Sequence, residues 1–304
     1  MAWRAPAPRR AEADLATSAP AFDLQSHSLH SDGALAPRAV VAAARAAGVE
    51  LLALSDHDTV GGVQEALEEA SRLDLSLVCA VEISAIGFAE GDLHVLGYLI
   101  DPADEALARA LAQSRSDRDR RADAMADALS SLGFELDRAP LETRTRTGKP
   151  IGRPHLAEAV TAHPGNARRL REEDCLDPSA FLEAYLAEGR PAFSPRLTPS
   201  VQEAIETVHA AGGLAVWAHP FWGDQGPGAV LEAIDVLHAW GLDGIECFYP
   251  THHVEQAELL YGRCEALGLL ATGSSDFHGP AHALFSRFRA FSTYGLEPIL
   301  GPLA

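Results

Sequence analysis

Residues 50–73 read ELLALSDHDTVGGVQEALEEASRL, and this stretch decides the fold class. A short apolar run passes through a polar turn and two glycines into an Ala-, Leu- and Glu-rich segment typical of a helix. The same alternation occurs upstream, in AFDLQSH followed by PRAVVAAARAAG, and near the end, where helical segments precede GLAVWAHP, GIECFYP and LLATGSSDFH. Alternating strands and helices predict an α/β protein built from parallel βα units.

The strand candidates number seven once LSLVCAVEIS and DLHVLGYLI are added to these five. Between about residues 104 and 196 the chain becomes helical and polar, which predicts a helical insertion that caps the carboxyl ends of the strands. The barrel domain then comprises residues 21–103 and 197–304. Residues 1–20 mix alanine, proline and charge without apolar periodicity and predict a disordered lead-in.

Composition excludes several classes of protein. The 304 residues are 47% hydrophobic, enough for a full core, and contain neither an apolar run of the ~20 residues that span a bilayer nor a secretion signal. A cytoplasmic protein is therefore expected. The four cysteines lack CxxC spacing, so no zinc knuckle or disulfide framework is predicted. With 43 acidic and 24 basic side chains, the net charge of −19 disfavours duplex DNA and is more compatible with a small phosphorylated substrate.

Polar residues able to bind metals recur where the strand candidates end, and in a parallel barrel those ends meet at one face. These residues are Gln25, His27, His57, Glu82, His94, His219, Asp276 and His278. A single histidine is more often a hydrogen-bonded core or surface residue, but the coincidence at so many strand ends predicts a metal site.

Mixed histidine and carboxylate ligation without thiolates favours Mn²⁺, Zn²⁺ or Fe²⁺. Glu82 is the best placed to bridge two ions, and Glu82, Asp276 and His219 are the predicted catalytic residues. Two ions that share a water clamp the attacking and leaving oxygens of an in-line displacement. The sequence thus predicts phosphoester chemistry.

Six segments carry a resemblance to a known family: DLQSHSLHSDG, LALSDHDTVGG, AVEIS, DLHVLGY, VWAHP and SSDFHGP. Together they resemble the PHP (polymerase and histidinol phosphatase) family, in particular its nucleoside 3′,5′-bisphosphate phosphatase type. The resemblance implies a distorted (β/α)7 barrel with a trinuclear centre and adds Asp32 to the metal ligands named above. Gln25 departs from it, because such families usually have histidine there, and the first ion is expected to bind more weakly.

Further polar residues have two interpretations each. Asp56 and Asp58 are expected to support His57, by orienting imidazoles or by capping a helix, and not to bind metal. Most of the arginines in RSDRDRR are interpreted as a solvated helix face. In GRPHLAEAV, Arg153 and His155 resemble a segment that contacts substrate phosphate. His252 is either another phosphate contact or a surface histidine.

The predicted function is hydrolysis of a phosphomonoester on a small nucleotide-like substrate, such as a nucleoside 3′,5′-bisphosphate, by metal-activated hydroxide with two or three divalent ions. The alternatives are a histidinol-phosphate or 5′-phosphorylated oligonucleotide phosphoesterase, a catalytically weakened regulatory protein, and a metal-dependent amide hydrolase. No P-loop, dinucleotide-binding fingerprint or serine-esterase elbow is present where a strand meets a helix.

Overall fold

The computed structural model describes residues 20–87, 92–146, 151–197, 199–222 and 225–304. The predicted disordered lead-in therefore lies, except for Pro20, outside the described residues. The seven strands are β1 (Phe22–Asp23), β2 (Leu51–Leu54), β3 (Ser76–Ile86), β4 (Asp92–Tyr98), β5 (Leu214–Trp217), β6 (Gly244–Phe248) and β7 (Leu270–Gly273).

The strands form one sheet in the order β1 to β7. Backbone hydrogen bonds from Leu24 N to Gly273 O at 3.2 Å and from His27 N to Phe277 O at 2.8 Å join the first and last strands at their carboxyl ends. The sheet therefore nearly closes into the predicted barrel.

One part of the predicted βα alternation is wrong. β4 is antiparallel to both β3 and β5, whereas the other pairs are parallel. A parallel crossover needs a dozen or more residues. Only residues 87–91 separate β3 from β4, so the two strands form a hairpin.

Ten α-helices accompany these strands in the described residues. They are α1 (Pro37–Ala46), α2 (Val63–Leu73), α3 (Glu105–Ser131), α4 (Arg138–Arg146), α5 (Arg153–Thr161), α6 (Ala167–Glu172), α7 (Pro178–Phe181), α8 (Val201–Ala210), α9 (Pro227–Ala239) and α10 (Val254–Leu267). Short 3₁₀ turns occupy Pro164–Asn166 and Gly301–Leu303, and a π-helical turn occupies Leu182–Leu186. No helix in the described part of the chain is long and apolar enough to cross a membrane.

Helix ends follow local chemistry. Asp104 caps α3 by accepting a hydrogen bond from Leu107 N at 2.7 Å. Ser200 and Glu203 form a reciprocal capping box at the start of α8. Gly268 ends α10 in the left-handed conformation, with φ of 72°, which glycine adopts without a steric penalty. These ends fix the lengths of the helices that surround the barrel.

The main core fills the barrel and the space beneath its helices. Its buried Tyr98, on β4, donates a hydrogen bond to Leu24 O at 2.8 Å and so joins β4 to the chain after β1. A separate apolar cluster lies within the predicted insertion and includes Met125, Leu129, Phe134, Leu156, Phe181 and Leu186. A core of its own supports the predicted insertion boundaries, which we retain as a proposal.

Candidate metal centre

Glu82 lies at the centre of a histidine cluster. Its Oε1 lies 2.6 Å from His94 Nδ1 and 3.3 Å from His219 Nε2. Its Oε2 lies 3.1 Å from His27 Nε2 and 3.5 Å from His57 Nδ1. Four imidazoles that come from four different segments thus converge on one buried carboxylate.

Two aspartates extend the cluster. Asp276 Oδ1 lies 3.0 Å from His27 Nε2 and 3.6 Å from His278 Nδ1. Asp32 Oδ1 lies 3.3 Å from His278 Nε2, and its Oδ2 lies 3.7 Å from His57 Nε2. Three compact groups could each hold a metal ion: His27 with Asp32, His57 and His278; His57 with Glu82 and His94; and His27 with Glu82 and Asp276.

The chain folds so that these side chains share one end of the barrel. Gln25 and His27 follow β1, His57 follows β2, His219 follows β5, and Asp276 and His278 follow β7, as predicted. The prediction that Glu82 and His94 also stand at strand ends is wrong. Glu82 lies in the middle of β3, and His94 lies near the beginning of β4, opposite Ser84. Because β4 is antiparallel, its amino end reaches the face at which the parallel strands end.

Two ligand candidates have an unusual backbone. His219 and Asp276 both have positive φ, 35° and 52° respectively. Residues other than glycine rarely adopt this conformation, and such strain occurs preferentially at functional sites.

Gln25 is fully buried beside this cluster. Its amide nitrogen donates a hydrogen bond to Glu82 Oε2 at 2.9 Å, and its oxygen accepts one from Ser274 Oγ at 3.4 Å. The side chain thus lies in contact with a ligand candidate and presents a donor to it.

The cluster is electrostatically coupled. Burial alone would raise the pKa of Glu82, but the imidazoles of His57 and His94 outweigh it and hold that pKa well below its usual value. Burial would lower the pKa of His27, but contacts with Asp276 and Glu82 raise it well above its usual value. At His57, burial dominates and lowers the pKa to about 4. An ionised Glu82 and a neutral His57 are in the protonation states that bind metals, whereas His27 must lose the proton that its carboxylate neighbours stabilise before it can bind an ion.

The donor set fits divalent metal ions. His27 Nε2, His57 Nδ1 and Asp276 Oδ1 are buried, yet none makes a well-directed hydrogen bond to any described residue. Buried polar atoms are normally satisfied, and one explanation for unsatisfied ones is an ion. Nitrogen and oxygen donors without thiolate suit Mn²⁺, Zn²⁺ or Fe²⁺.

The two aspartates beside His57 support loops, but not in the predicted way. Asp56 accepts hydrogen bonds from Ser28 N at 2.7 Å and from Ser31 Oγ at 2.6 Å. It therefore braces the loop that carries Asp32. Asp58 accepts hydrogen bonds from Ser84 N at 2.9 Å and from Arg118. Within the described residues, neither carboxylate orients an imidazole or caps α2.

Sequence reasoning missed two residues that hold ligand candidates in place. Glu246, buried in β6, accepts hydrogen bonds from His219 N at 2.9 Å and from Ser274 Oγ at 2.5 Å. Burial raises the pKa of Glu246 to about 8. Tyr249 donates a hydrogen bond to Asp276 Oδ2 at 2.8 Å. The signal for Glu246 was present in GIECFYP, where a glutamate interrupts an otherwise apolar strand.

A cavity of about 480 Å³ adjoins the cluster and has the size of a small-molecule site. Asp32, His57, His94 and His278 line it, as do Arg153 and His155 at the start of α5. Four more arginines from the predicted insertion also line it: Arg118, Arg121, Arg144 and Arg196. Arg144 and Arg196 carried no motif in the sequence.

The interpretation of the RSDRDRR arginines as a solvated face is wrong for two of the four, Arg118 and Arg121. Arg121 is 8% exposed and donates a hydrogen bond to Ser194 O at 2.7 Å. Arg115 and Arg118 donate to Asp58, and Arg118 also lines the cavity. Arg115 and Arg120 are exposed, as interpreted, whereas Arg118 is half-buried and Arg121 is buried. The segment therefore presents one half of its arginines to solvent and packs the other half against the rest of the chain.

Of the two interpretations of His252, the surface histidine is wrong. It is 2% exposed, its Nδ1 lies 3.0 Å from Cys247 O, and its ring packs against Phe221 and Tyr249. Burial lowers its pKa to about 4. Its Nε2 has no hydrogen-bond partner among the described residues, and His252 is not among the residues that line the cavity, so a contact with substrate phosphate stays a prediction.

The ion pair between Arg118 and Asp58 gives a stability prediction. Asp58 is fully buried, and its loop carries His57, so loss of the guanidinium leaves a buried carboxylate that keeps only the Ser84 amide. We expect Arg118→Ala to lower the free energy of unfolding by about 3 kcal/mol in urea denaturation. Arg72→Ala, which removes the exposed pair with Glu69, is the control and should cost less than about 1 kcal/mol. Equal effects would mean that the buried pair does not anchor α3.

The barrel and its histidine–carboxylate cluster define the class of barrel metallohydrolases. The PHP domain model matches residues 23–135. The chain is 32% identical over 260 residues to a 3′,5′-nucleoside bisphosphate phosphatase of Chromobacterium violaceum, covering 85% of this chain and 87% of that protein. It is 33% identical to a 5′-3′ exoribonuclease of Haemophilus influenzae, and the match covers 85% of this chain and 90% of that protein. It is 32% identical to a phosphoribosyl 1,2-cyclic phosphate 1,2-diphosphodiesterase of Eggerthella lenta, covering 84% and 94%.

Two solved structures share the fold over most of the chain. A Bifidobacterium adolescentis protein described as a candidate metal-dependent phosphoesterase superposes with a TM-score of 0.67 at 31% identity, covering 86% of this chain and 89% of that one. A Chromobacterium violaceum protein described as an amidohydrolase superposes with a TM-score of 0.70 at 30% identity, covering 88% and 94%. The chain belongs to the PHP family of metal-dependent phosphoesterases, and it is a phosphoric ester hydrolase.

Proposed function

We propose that this enzyme hydrolyses a phosphomonoester of a small nucleotide-like substrate, of which a nucleoside 3′,5′-bisphosphate is the favoured example. The observation that carries the proposal is one cavity lined both by the histidine–carboxylate cluster and by arginines such as Arg144 and Arg153. The first lining suits a reacting phosphate with its metal ions, and the second suits a phosphate that does not react.

In this proposal the metal ligands are His27, Asp32, His57, Glu82, His94, His219, Asp276 and His278, with Gln25 at the edge of the set. Glu82 belongs to two of the three compact groups, which supports a bridging role. Divalent ions bound here would polarise the phosphoryl group and lower the pKa of a water molecule.

The side chains around the ligands keep them in position. Tyr249 and the Asp276 carboxylate are hydrogen-bonded, which orients the carboxylate toward His27. The carboxyl group of Glu246 accepts a hydrogen bond from the backbone N–H of His219 and so holds the strained backbone of that residue. Partners of this kind fix ligand orientation and typically affect metal affinity 10- to 100-fold.

Arg118 and Arg115 hold the insertion against the loop of His57, and we propose that the insertion acts as a cap that limits access of water.

Arg153 and His155 are proposed to contact the phosphate that is not cleaved. Arg153 is the first residue of α5, and the dipole of this helix favours an anion near its amino end. His155 Nδ1 accepts a hydrogen bond from Gly152 N at 3.0 Å, which orients its ring at this helix start. Burial and the nearby Arg144 lower the pKa of His155.

Replacement of Arg153 by alanine should therefore raise KM about tenfold for adenosine 3′,5′-bisphosphate and change kcat little, because the contact exists in both the ground and transition states. Phosphate release at varied substrate concentration measures both constants. Arg168→Ala, at an arginine whose side chain is 90% exposed on α6, is the matched control. An equal KM change in the two variants, or equal wild-type kinetics on mono- and bisphosphates, would contradict the assignment.

The function itself is tested by a substrate screen of protein purified without chelators and analysed for metal. The screen should include adenosine 3′,5′-bisphosphate, histidinol phosphate, a 5′-phosphorylated oligoribonucleotide and a cyclic phosphate, because the relatives act on several of these classes. Ammonia release from amide substrates is measured in parallel. We expect phosphate release to be fastest from the bisphosphate. Ammonia release without phosphate release would overturn the proposal.

A further inference from the structure

Trp222 is an exposed aromatic residue beside the metal centre. It lies in the turn after β5, where its backbone N–H donates a hydrogen bond to the backbone oxygen of His219 at 2.9 Å. Its side chain is 51% exposed, whereas the adjacent Phe221 is 7% exposed and belongs to the core. A single exposed apolar residue is ordinary on a protein surface, so the position of Trp222 decides whether it has a role.

Trp222 packs beside a residue that lines the cavity, although it is not itself among the lining residues. The indole centroid lies 5.9 Å from the ring of His219 and 5.8 Å from the ring of Phe285, which lines the cavity. His282, also a cavity residue and also exposed, stacks on Phe285 at 5.0 Å with an interplanar angle of 15°. We call Trp222, Phe285 and His282 the aromatic shelf. It comes from barrel loops, whereas most of the cavity arginines come from the predicted insertion.

Hydrogen bonds hold two members of the shelf, His282 and Phe285, in place before any ligand arrives. His282 Nδ1 accepts hydrogen bonds from Leu284 N at 3.3 Å and from Phe285 N at 3.0 Å, which fix the imidazole plane. Phe285 O accepts a hydrogen bond from His278 N at 3.0 Å, which ties the shelf to the metal-centre loop. A surface that is already ordered binds a flat ligand without the entropic cost of arranging side chains.

We propose that the aromatic shelf binds the nucleobase of the substrate. This inference rests on the proposed function and identifies the part of the substrate, other than phosphate, that the enzyme recognises. The arginines and the metal centre recognise phosphate, which every candidate substrate contains. A planar base has two π faces, and stacking on an aromatic side chain stabilises it with little dependence on base identity. A phosphosugar lacks such a face. The shelf therefore selects nucleotides over phosphosugars.

The test compares AMP with ribose 5-phosphate, which lacks the base, as ligands of the metal-loaded enzyme. Surface plasmon resonance is suitable because continuous flow replaces any hydrolysed ligand. Wild-type enzyme should bind AMP at least tenfold more tightly than ribose 5-phosphate. Trp222→Ala should weaken AMP binding about tenfold and leave ribose 5-phosphate binding unchanged, whereas Trp222→Phe should retain most of the affinity for AMP. Leu176→Ala, at an exposed leucine of the predicted insertion, is the control.

Each other outcome overturns the shelf. AMP binding no tighter than that of ribose 5-phosphate, an unchanged Kd for AMP in Trp222→Ala, or an equal loss for both ligands would each exclude base recognition. The phosphate-release screen is read separately. If it finds hydrolysis while AMP shows no preference, the shelf fails and the proposed function stands. If no phosphate ester is hydrolysed, the proposed function fails.

Discussion

Asp276→Ala and Glu82→Ala should each abolish phosphate ester hydrolysis, with kcat reduced about a thousandfold or more, the largest effect we expect for any substitution in this chain. Each carboxylate belongs to the compact group with His27, and Glu82 also belongs to the group with His57 and His94. Removing either one takes an anionic donor from a candidate ion position. Loss of an ion removes several kcal/mol of transition-state stabilisation.

Measurement of kcat by phosphate release should accompany metal analysis of the same preparations. Asp276→Asn and Glu82→Gln nearly keep the side-chain size and remove only the charge, so they test the same roles with less risk of unfolding. Circular dichroism of every variant checks that it is folded. Asp235→Asn, at an exposed carboxylate paired with Arg263 on the surface, is the matched control and should keep full activity. Substantial turnover by folded Ala variants would show that these two residues do not hold the metals.

Much of the fold could be predicted because the strands and helices carry their own periodicity. The apolar run at 51–54 and the helical pattern at 63–73 became β2 and α2. The direction of β4 could not be obtained in this way. DLHVLGYLI is as apolar as a parallel strand, and only the shortness of the preceding connection distinguishes a hairpin from a crossover.

The candidate site likewise contains residues that could be located from the sequence and residues that could not. His27, His57, His219 and Asp276 follow strands and could be located from the sequence. Arg144 could not, because it comes from a helix whose orientation over the barrel depends on tertiary packing. Glu246 and Tyr249 act through other residues, and neither belongs to a motif that specifies its partner. Local pattern therefore located these ligand candidates but not the residues that position them.

Gln25 distinguishes this metal centre from the pattern that it resembles, and its replacement by histidine is the second prediction with a large expected effect. The amide contacts Glu82 Oε2 and is fully buried, next to the group formed by His27, Glu82 and Asp276. An amide is a poorer ligand than imidazole for borderline transition metals. Gln25→His should therefore raise the affinity for Mn²⁺ or Zn²⁺ at this position about tenfold or more.

Equilibrium dialysis of both proteins against Mn²⁺, with the bound metal counted per chain, separates this position from the others because the weakest site alone should change. Wild-type enzyme should remain active, since His27, Glu82 and Asp276 are retained, and the histidine variant should reach full activity at lower metal concentration. Gln64→His adds an imidazole on exposed α2 beside Glu68 and controls for metal bound by any additional histidine. Unchanged stoichiometry and affinity in Gln25→His would show that residue 25 does not face the ion. In that case its hydrogen bond to Glu82 orients the carboxylate and is its whole contribution to the site.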